Sequence, residues 1–208
     1  MRKNENAVIL NDSELCLCVF RAVVNWMEWR DCFEYQGDLK ENPILRDENL
    51  FGKFAQEYGL RWLGDRGDRN DFRVRLRQSK CFEAAIENRD ASMIDRCVED
   101  VRSNSGNRQM SAVSKIAMFL DPAYFMPIDK FAKKGLRNLG AVSSEYRNYS
   151  SYLDAICHHA EPILQTPILK KIKQTRLSQC IEDQNGFYRR VLDVALMSIG
   201  GRWSAMDR

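Results

Sequence analysis

Asp129 lies where the sequence can hold a carboxylate in a fixed position. It directly precedes an apolar and basic helical segment, so its side chain can cap the start of that helix. A capping carboxylate is held rigidly, and the helix dipole favours its ionised form. The pattern therefore predicts a fixed anion at Asp129, which serves either as a helix cap alone or as a cap and a catalytic group together.

Two further ionisable residues, Lys115 and Asp193, have spacings that permit a chemical role. Lys115 follows Ser111 by four residues, which puts both on one helical face. Its amine could bind a phosphate, pair with Asp129 or act as a nucleophile, or it could extend along the surface into solvent. Asp193 is an acid within the apolar run 191–199. We expect it either to pair with a buried cation or to face a pocket.

The elements that position these residues are predicted to be helical. A capping signal, NDSE at residues 11–14, precedes apolar residues at helical spacing to about residue 36. The stretch 72–76 alternates apolar residues with arginine and fits either a short strand or a helix. Further helices are expected at about 51–58, 80–88, 91–102, 110–120, 130–138, 143–160 and 185–199. The fold class predicted from this pattern is all-α.

The composition is that of a globular protein. The 208 residues include 44% hydrophobic and 29% charged side chains, which is atypical of a disordered chain. This length fits one domain, or one domain with a small second lobe. The sequence has no apolar run long enough for a signal peptide or a membrane span, and its seven cysteines include no Cys-x-x-Cys pair. We therefore expect a cytoplasmic protein with reduced thiols, no metal and no membrane partner.

Basic residues cluster in three parts of the chain, although the formal net charge is only +3. Residues 61–80 contain seven Arg or Lys against three Asp, and the stretches 130–137 and 166–176 contain four each with no acid. This polarised charge favours a nucleic-acid partner, with Lys133 and Lys134 as phosphate ligands. A solvated basic face is the alternative.

The middle of the chain combines these features in a particular order. Residues 91–102 are predicted to form one helix, the turn-forming residues 103–107 read SNSGN, and a second helix begins at Ser111 and reads SAVSKIAMFL. The apolar segment FMPI at 125–128 then leads to Asp129 and the basic helix. This order resembles the helix-hairpin-helix DNA glycosylase superfamily, in which the hairpin precedes an apolar segment with a proline and a catalytic aspartate.

The resemblance covers about forty residues, 94–135, within a hairpin and catalytic segment at about 91–138, and a weaker similarity lies around Asp193. There, RVLDVALMSIGG is similar to a helix of small glycosylase-like proteins. The family hairpin L-P-G-x-G corresponds here to residues 105–109, which keep one glycine at a displaced position, and the four-cysteine iron–sulfur loop of some members is absent. The resemblance implies a helix-hairpin-helix glycosylase-like bundle over residues 1–208 without a cofactor. The bundle could be one domain, or two lobes with the site between them.

The resemblance also implies roles for individual residues. Asp129 would stabilise the positive charge that develops on the sugar when an N-glycosidic bond breaks, with Lys115 as a second catalytic candidate. Trp26 and Asp193 would contact a flipped base, with core packing and an ion pair as their alternatives. Phosphate contacts would come from Gly106, Asn107, Arg108, Ser111, Lys133 and Lys134.

The implied function is that of a monomeric DNA N-glycosylase. It would flip a modified or mismatched base out of double-stranded DNA, in base-excision repair or in defence against phage DNA with hypermodified bases. Ser111 lies eighteen residues before Asp129, at a position where lyase members carry lysine. A hydroxyl cannot form an imine, so we expect a monofunctional enzyme. The alternatives are a non-catalytic helix-hairpin-helix DNA-binding module, which the degenerate hairpin favours, and an RNA-directed or protein-interaction helical domain.

Overall fold

A computed structural model describes residues 10–31, 42–60, 66–101, 109–175, 181 and 183–202. Within these ranges every regular element is helical, which confirms the all-α prediction. The α-helices are α1 Asp12–Asp31, α2 Pro43–Arg46, α3 Glu48–Glu57, α4 Arg66–Gln78, α5 Lys80–Asn88, α6 Ala91–Asp100, α7 Met110–Leu120, α8 Lys130–Asn138, α9 Tyr149–Ala155, α10 Pro167–Lys173 and α11 Gln184–Ile199. Two 3-10 turns, Ser143–Tyr146 and Glu161–Gln165, and a π-helical turn, Ile156–Ala160, complete the described elements.

Side-chain caps mark where most of the described α-helices begin. At the start of α1, Glu14 N donates to Asn11 Oδ1 at 3.0 Å and Asn11 N donates to Glu14 Oε2 at 2.8 Å, a capping box.

The ambiguous stretch 72–76 lies within α4, so the strand alternative is wrong. The single helix expected over 143–160 is instead a series of 3-10, α and π turns.

Two groups of buried apolar side chains form the core. The larger group joins helices from α2 to α9, and the smaller group joins α1, α10 and α11. Helix α11 contributes to both, because Leu192 and Leu196 belong to the larger group while Val191 and Val194 belong to the smaller. The helix that carries Asp193 is therefore packed from two sides. The organisation of residues 1–208 as a single domain stays a prediction.

Helices α8 and α11 approach each other at backbone distance. A Cβ atom at Gly135 would clash with the backbone oxygen of Leu196, and one at Gly200, just after α11, would clash with the backbone oxygen of Phe131. Glycine is needed at both positions because no larger side chain fits this spacing. The contact fixes the start of α8 relative to α11.

The segment before Asp129 has no regular structure and is held by buried tyrosines. Met126 N donates to Tyr149 Oη at 3.1 Å, and Tyr149 Oη donates to Met126 O at 2.8 Å. Tyr152 Oη donates to Pro127 O at 2.9 Å. Both tyrosines are fully buried, so these hydroxyls and the backbone groups of the segment satisfy one another away from water.

A serine of α7 provides the third hydroxyl that holds this segment. Ile128 N donates to Ser114 Oγ at 3.1 Å, and Ser114 Oγ donates to Ser111 O at 3.2 Å within α7. We call Ser114, Tyr149 and Tyr152 the hydroxyl clamp. The clamp ties the residues preceding Asp129 to α7 and α9, and so sets where α8 begins.

Replacing Ser114 with alanine tests this arrangement. Ser114→Ala leaves the buried amide of Ile128 without its acceptor, so the free energy of unfolding should fall by about 1–3 kcal/mol. Urea denaturation measures the change. Ser143→Ala removes an exposed hydroxyl that lies 3.5 Å from Tyr146 Oη, and it should change stability by less than about 0.5 kcal/mol. Equal losses in the two variants would contradict the role given to Ser114.

Candidate functional site

The three ionisable residues selected from the sequence line one cavity. This cavity has a volume of about 690 Å³, and its walls include Lys115 from α7, Asp129 at the start of α8 and Asp193 from α11. Such a volume is within the range of small-molecule and cofactor sites. Residues from α1 and from the end of α3 complete the wall, including Asn25 and Tyr58.

Asp129 is the N-cap of α8, as predicted. Its Oδ1 accepts hydrogen bonds from Phe131 N at 2.7 Å and Ala132 N at 2.8 Å. Among the described residues no hydrogen bond engages Oδ2. The carboxylate is half-buried, fixed through one oxygen and able to present the other to the cavity.

Lys115 is half-buried in the cavity wall and does not extend into solvent. Its Nζ donates to Tyr58 O at 2.6 Å, which ties α7 to the end of α3. Burial lowers the pKa of this amine, while the negative charge of Asp129 acts in the opposite direction. The site therefore contains an amine that loses its proton more readily than an exposed lysine.

Asp193 is the most deeply buried ionisable group of the cavity, with 1% of its surface exposed. Its Oδ2 pairs with Arg190 Nη1, and Arg190 Nη2 also donates to Asn25 Oδ1 at 3.0 Å. Burial raises the pKa of Asp193 to about 6, although the charge of Arg190 opposes that rise. Both alternatives raised for Asp193 hold, since it pairs with a cation and lines the cavity.

The second oxygen of Asp193 lacks a partner. Among the described residues, Asp193 Oδ1 is buried and accepts no hydrogen bond. A buried acceptor without a donor lowers stability by about 1–3 kcal/mol, so such atoms are uncommon in folded proteins. The carboxylate is therefore satisfied on one side only.

Charges of both signs surround the cavity. The basic and acidic lining residues are Lys115, Lys130, Arg190, Arg202, Glu57, Asp129 and Asp193. A wall of this kind suits a polar ligand that carries both hydrogen-bonding groups and negative charge.

Some residues selected from the sequence lie elsewhere. Trp26 is not among the residues that line the cavity; it packs edge-on against Phe187, with ring centroids 6.0 Å apart, as core packing predicts. Ser111 also lies outside the lining. Lys133 is half-buried and Lys134 exposed on α8.

The hairpin residues Gly106, Asn107 and Arg108 lie outside the described part of the chain. Their phosphate contacts, like those of the lysines on α8, stay predictions.

Other residues of the cavity were not found from the sequence. Arg190 lies three residues before Asp193, and acid–base pairs at this spacing meet on a helix surface, so this partner could have been found. Asn25 and Tyr58 carry no such signal, because their places in the wall depend on how α1 and α3 pack.

Comparisons of the chain with protein-family models, with curated proteins and with solved structures found no match. Within the described ranges, no group of three or more His, Cys, Asp or Glu side chains is arranged to hold a metal ion. In the same part of the chain, no helix is both long enough and apolar enough to cross a membrane.

Asp193 should make stability depend on pH. Its pKa of about 6 in the folded protein exceeds the ordinary value of 3.8, so folding favours the protonated carboxyl. This contribution is fully present below the ordinary pKa and is lost as the pH rises through about 6. Asp193→Asn removes the titration.

We therefore expect the free energy of unfolding of the wild type, minus that of Asp193→Asn, to fall between about pH 4 and pH 7. The fall should be at most about 3 kcal/mol, since one pKa unit corresponds to about 1.4 kcal/mol. Urea denaturation of both proteins across this pH range gives the difference, in which the titrating groups that do not interact with Asp193 cancel. A difference that does not change with pH would show that Asp193 is ionised equally in both states.

Proposed function

We propose that this chain is a DNA N-glycosylase of the helix-hairpin-helix type, which receives a flipped base in the cavity and hydrolyses its N-glycosidic bond. The observation that carries the proposal is that the Asp129 carboxylate, which caps α8, lines a cavity of about 690 Å³. A flipped nucleotide brings a polar base, a sugar and a phosphate into such a pocket.

Asp129 acts on the sugar in this proposal. As the bond between C1′ and the base nitrogen breaks, the base takes the electron pair and positive charge develops on the sugar. A carboxylate already fixed in place stabilises that charge without reorganisation. Water then adds to C1′ and gives one proton to the Asp129 carboxylate. Asp129 passes that proton to the departing base anion, so the base leaves neutral and the carboxylate is ionised again.

The proposed partner is double-stranded DNA. The cavity carries Lys115, Lys130, Arg190 and Arg202, and α8 continues from it with Lys133 and Lys134. Phosphate binding by such residues positions a protein on DNA without reading its sequence. The chain would act as a cytoplasmic monomer, either in base-excision repair or against phage DNA with hypermodified bases.

The decisive experiment is incubation with DNAs that carry single modified or mismatched bases, including phage genomes with hypermodified bases, followed by detection of abasic sites. On the DNA that is cut, Asp129→Asn should lower the rate roughly 100-fold or more, because it removes one fixed charge. DNA binding should persist, which separates a loss of chemistry from a loss of affinity.

Asp47→Asn is the matched control for this variant. Asp47 caps α3 in the same way, by accepting from Asn49 N at 2.7 Å and Leu50 N at 2.9 Å, but it does not line the cavity. It should leave the rate within a few-fold of the wild type. Equal rates for Asp129→Asn and the wild type would exclude the catalytic role. DNA binding with no abasic site on any substrate would favour the non-catalytic binding module.

A second candidate activity is strand cleavage through Lys115. It is favoured by one observation: Lys115 lines the cavity beside Asp129, whereas Ser111 does not. The neutral Lys115 amine would attack C1′, and the base would leave with the electron pair of the N-glycosidic bond and take up one amine proton. Cleavage of the C1′–O4′ bond, with the second amine proton passing to O4′, would give an imine with the opened sugar. Loss of a C2′ proton and departure of the 3′ phosphate from that imine would then break the strand. Hydrolysis by a monofunctional enzyme remains the first candidate.

Borohydride separates the two candidates, because it reduces an imine to a stable secondary amine. For the monofunctional enzyme we expect abasic sites, no covalent protein–DNA adduct and no strand break without alkali. An adduct that Lys115→Gln abolishes and Lys130→Gln retains would establish the second candidate. Lys130 is a suitable control because it is an exposed lysine of the same cavity.

A further inference from the structure

Asp193, which lines the cavity, has a buried hydrogen-bond acceptor that is unused among the described residues. Its Oδ2 pairs with Arg190, whereas Oδ1 has no partner among the described residues. Gln109 and Thr166 also have buried side-chain oxygens without partners, but neither lines the cavity. Asp193 therefore combines an unsatisfied buried acceptor with a place in the candidate site.

We propose that Asp193 selects the base, by accepting at Oδ1 a hydrogen bond from a ring or exocyclic N–H of the flipped nucleotide. This inference rests on the proposed function, since it concerns the same cavity. The class of base that Asp193 accepts is one that presents an unalkylated N–H group to Oδ1.

The chemistry of the carboxylate sets this selectivity. An ionised carboxylate only accepts hydrogen bonds, and Arg190 already engages one of its two oxygens. A single N–H donor completes the hydrogen bonding of Asp193. A base that is methylated on that nitrogen leaves Oδ1 unpaired and places a methyl group against it, so it binds less well.

Two methionines line the cavity together with Asp193. They are Met118 and Met197, and the Oδ1 atom of Asp193 itself exposes almost no surface. Methionine side chains are flexible and adapt to the shape of a ligand. In the proposed complex the base displaces these side chains and gains contact with Oδ1.

A buried water molecule is the competing partner for Oδ1. A second void, of about 10 Å³, is lined by Asp193, Arg190 and Met118, and this volume is enough for at most one water. Such a water would complete the hydrogen bonding of Asp193 without any ligand. The two possibilities differ in whether base binding depends on Asp193.

Free bases test the inference without requiring excision. The probes are four pairs that differ in one donor group: cytosine and N4,N4-dimethylcytosine, adenine and N6,N6-dimethyladenine, uracil and 3-methyluracil, and guanine and 1-methylguanine. Saturation-transfer NMR titrations on the whole chain measure their affinities. We expect at least one unmethylated base to bind about tenfold or more tightly than its methylated partner, the effect of one charged hydrogen bond.

Two variants assign that preference to Asp193. Asp193→Asn should reduce the difference within the pair to less than about threefold, because it removes the charged acceptor. Asp121→Asn is the matched control, since Asp121 is a largely buried acid paired with Arg89 at 2.7 Å outside the cavity. It should keep the full difference. Circular dichroism checks that each variant is folded. If Asp193→Asn is not folded, the wild-type pairs still test the inference, because equal affinities within every pair overturn it.

The outcomes separate this inference from the proposed function. Base binding that depends on Asp193, with no abasic site on any DNA, would support the inference and contradict the glycosylase activity. Excision with the same base preference in Asp193→Asn would support the activity and overturn the inference. Equal affinities within every pair, or no binding of any free base, would also overturn it and leave a structural water as the partner of Oδ1.

Discussion

The candidate site depends on a short stretch of backbone that has no secondary structure to support it. The residues just before Asp129 run through the core, where every amide and carbonyl needs a partner. Tyr149, Tyr152 and Ser114, the hydroxyl clamp, supply these partners. Each clamp hydroxyl is itself buried and would be unfavourable alone, so the segment and the clamp stabilise each other. The position of the Asp129 carboxylate is a consequence of this mutual satisfaction.

The contact between α8 and α11 sets the distance between the two helices that carry the carboxylates of the site. Because Gly135 and Gly200 allow backbone contact, the helix that begins after Asp129 and the helix that carries Asp193 pack at a short distance that a side chain at either glycine would prevent. Their carboxylates are nevertheless in different environments. Asp129 is half-buried and accepts hydrogen bonds from the backbone amides that it caps. Asp193 is buried beside one arginine, and burial raises the pKa of Asp193. Two carboxylates in unlike surroundings can take different roles at one site.

Local signals in the sequence predicted much of this arrangement. Asp129 was found as a cap because capping depends on neighbouring residues, and Asp193 because an acid in an apolar helix needs a reason to be there. The stretch 72–76 was ambiguous for a tertiary reason. Arg73 is buried and its Nη1 donates to Leu45 O at 2.6 Å and Arg46 O at 2.8 Å, so the arginine pattern did not mark an exposed face. The hydroxyl clamp and the Tyr58 carbonyl were not predictable, since they join residues far apart in the chain.

The hydroxyl clamp also makes the site observable by hydrogen–deuterium exchange. The amides of Met126 and Ile128 are protected by side-chain oxygens, not by helix carbonyls, so fraying of a helix end does not release them. Their exchange rates report on the opening of this segment. The exchange rates of the Phe131 and Ala132 amides report in the same way on the hydrogen bonds by which Asp129 caps α8. Four backbone protons therefore record whether the part of the site around Asp129 is assembled, and recording them needs no substrate.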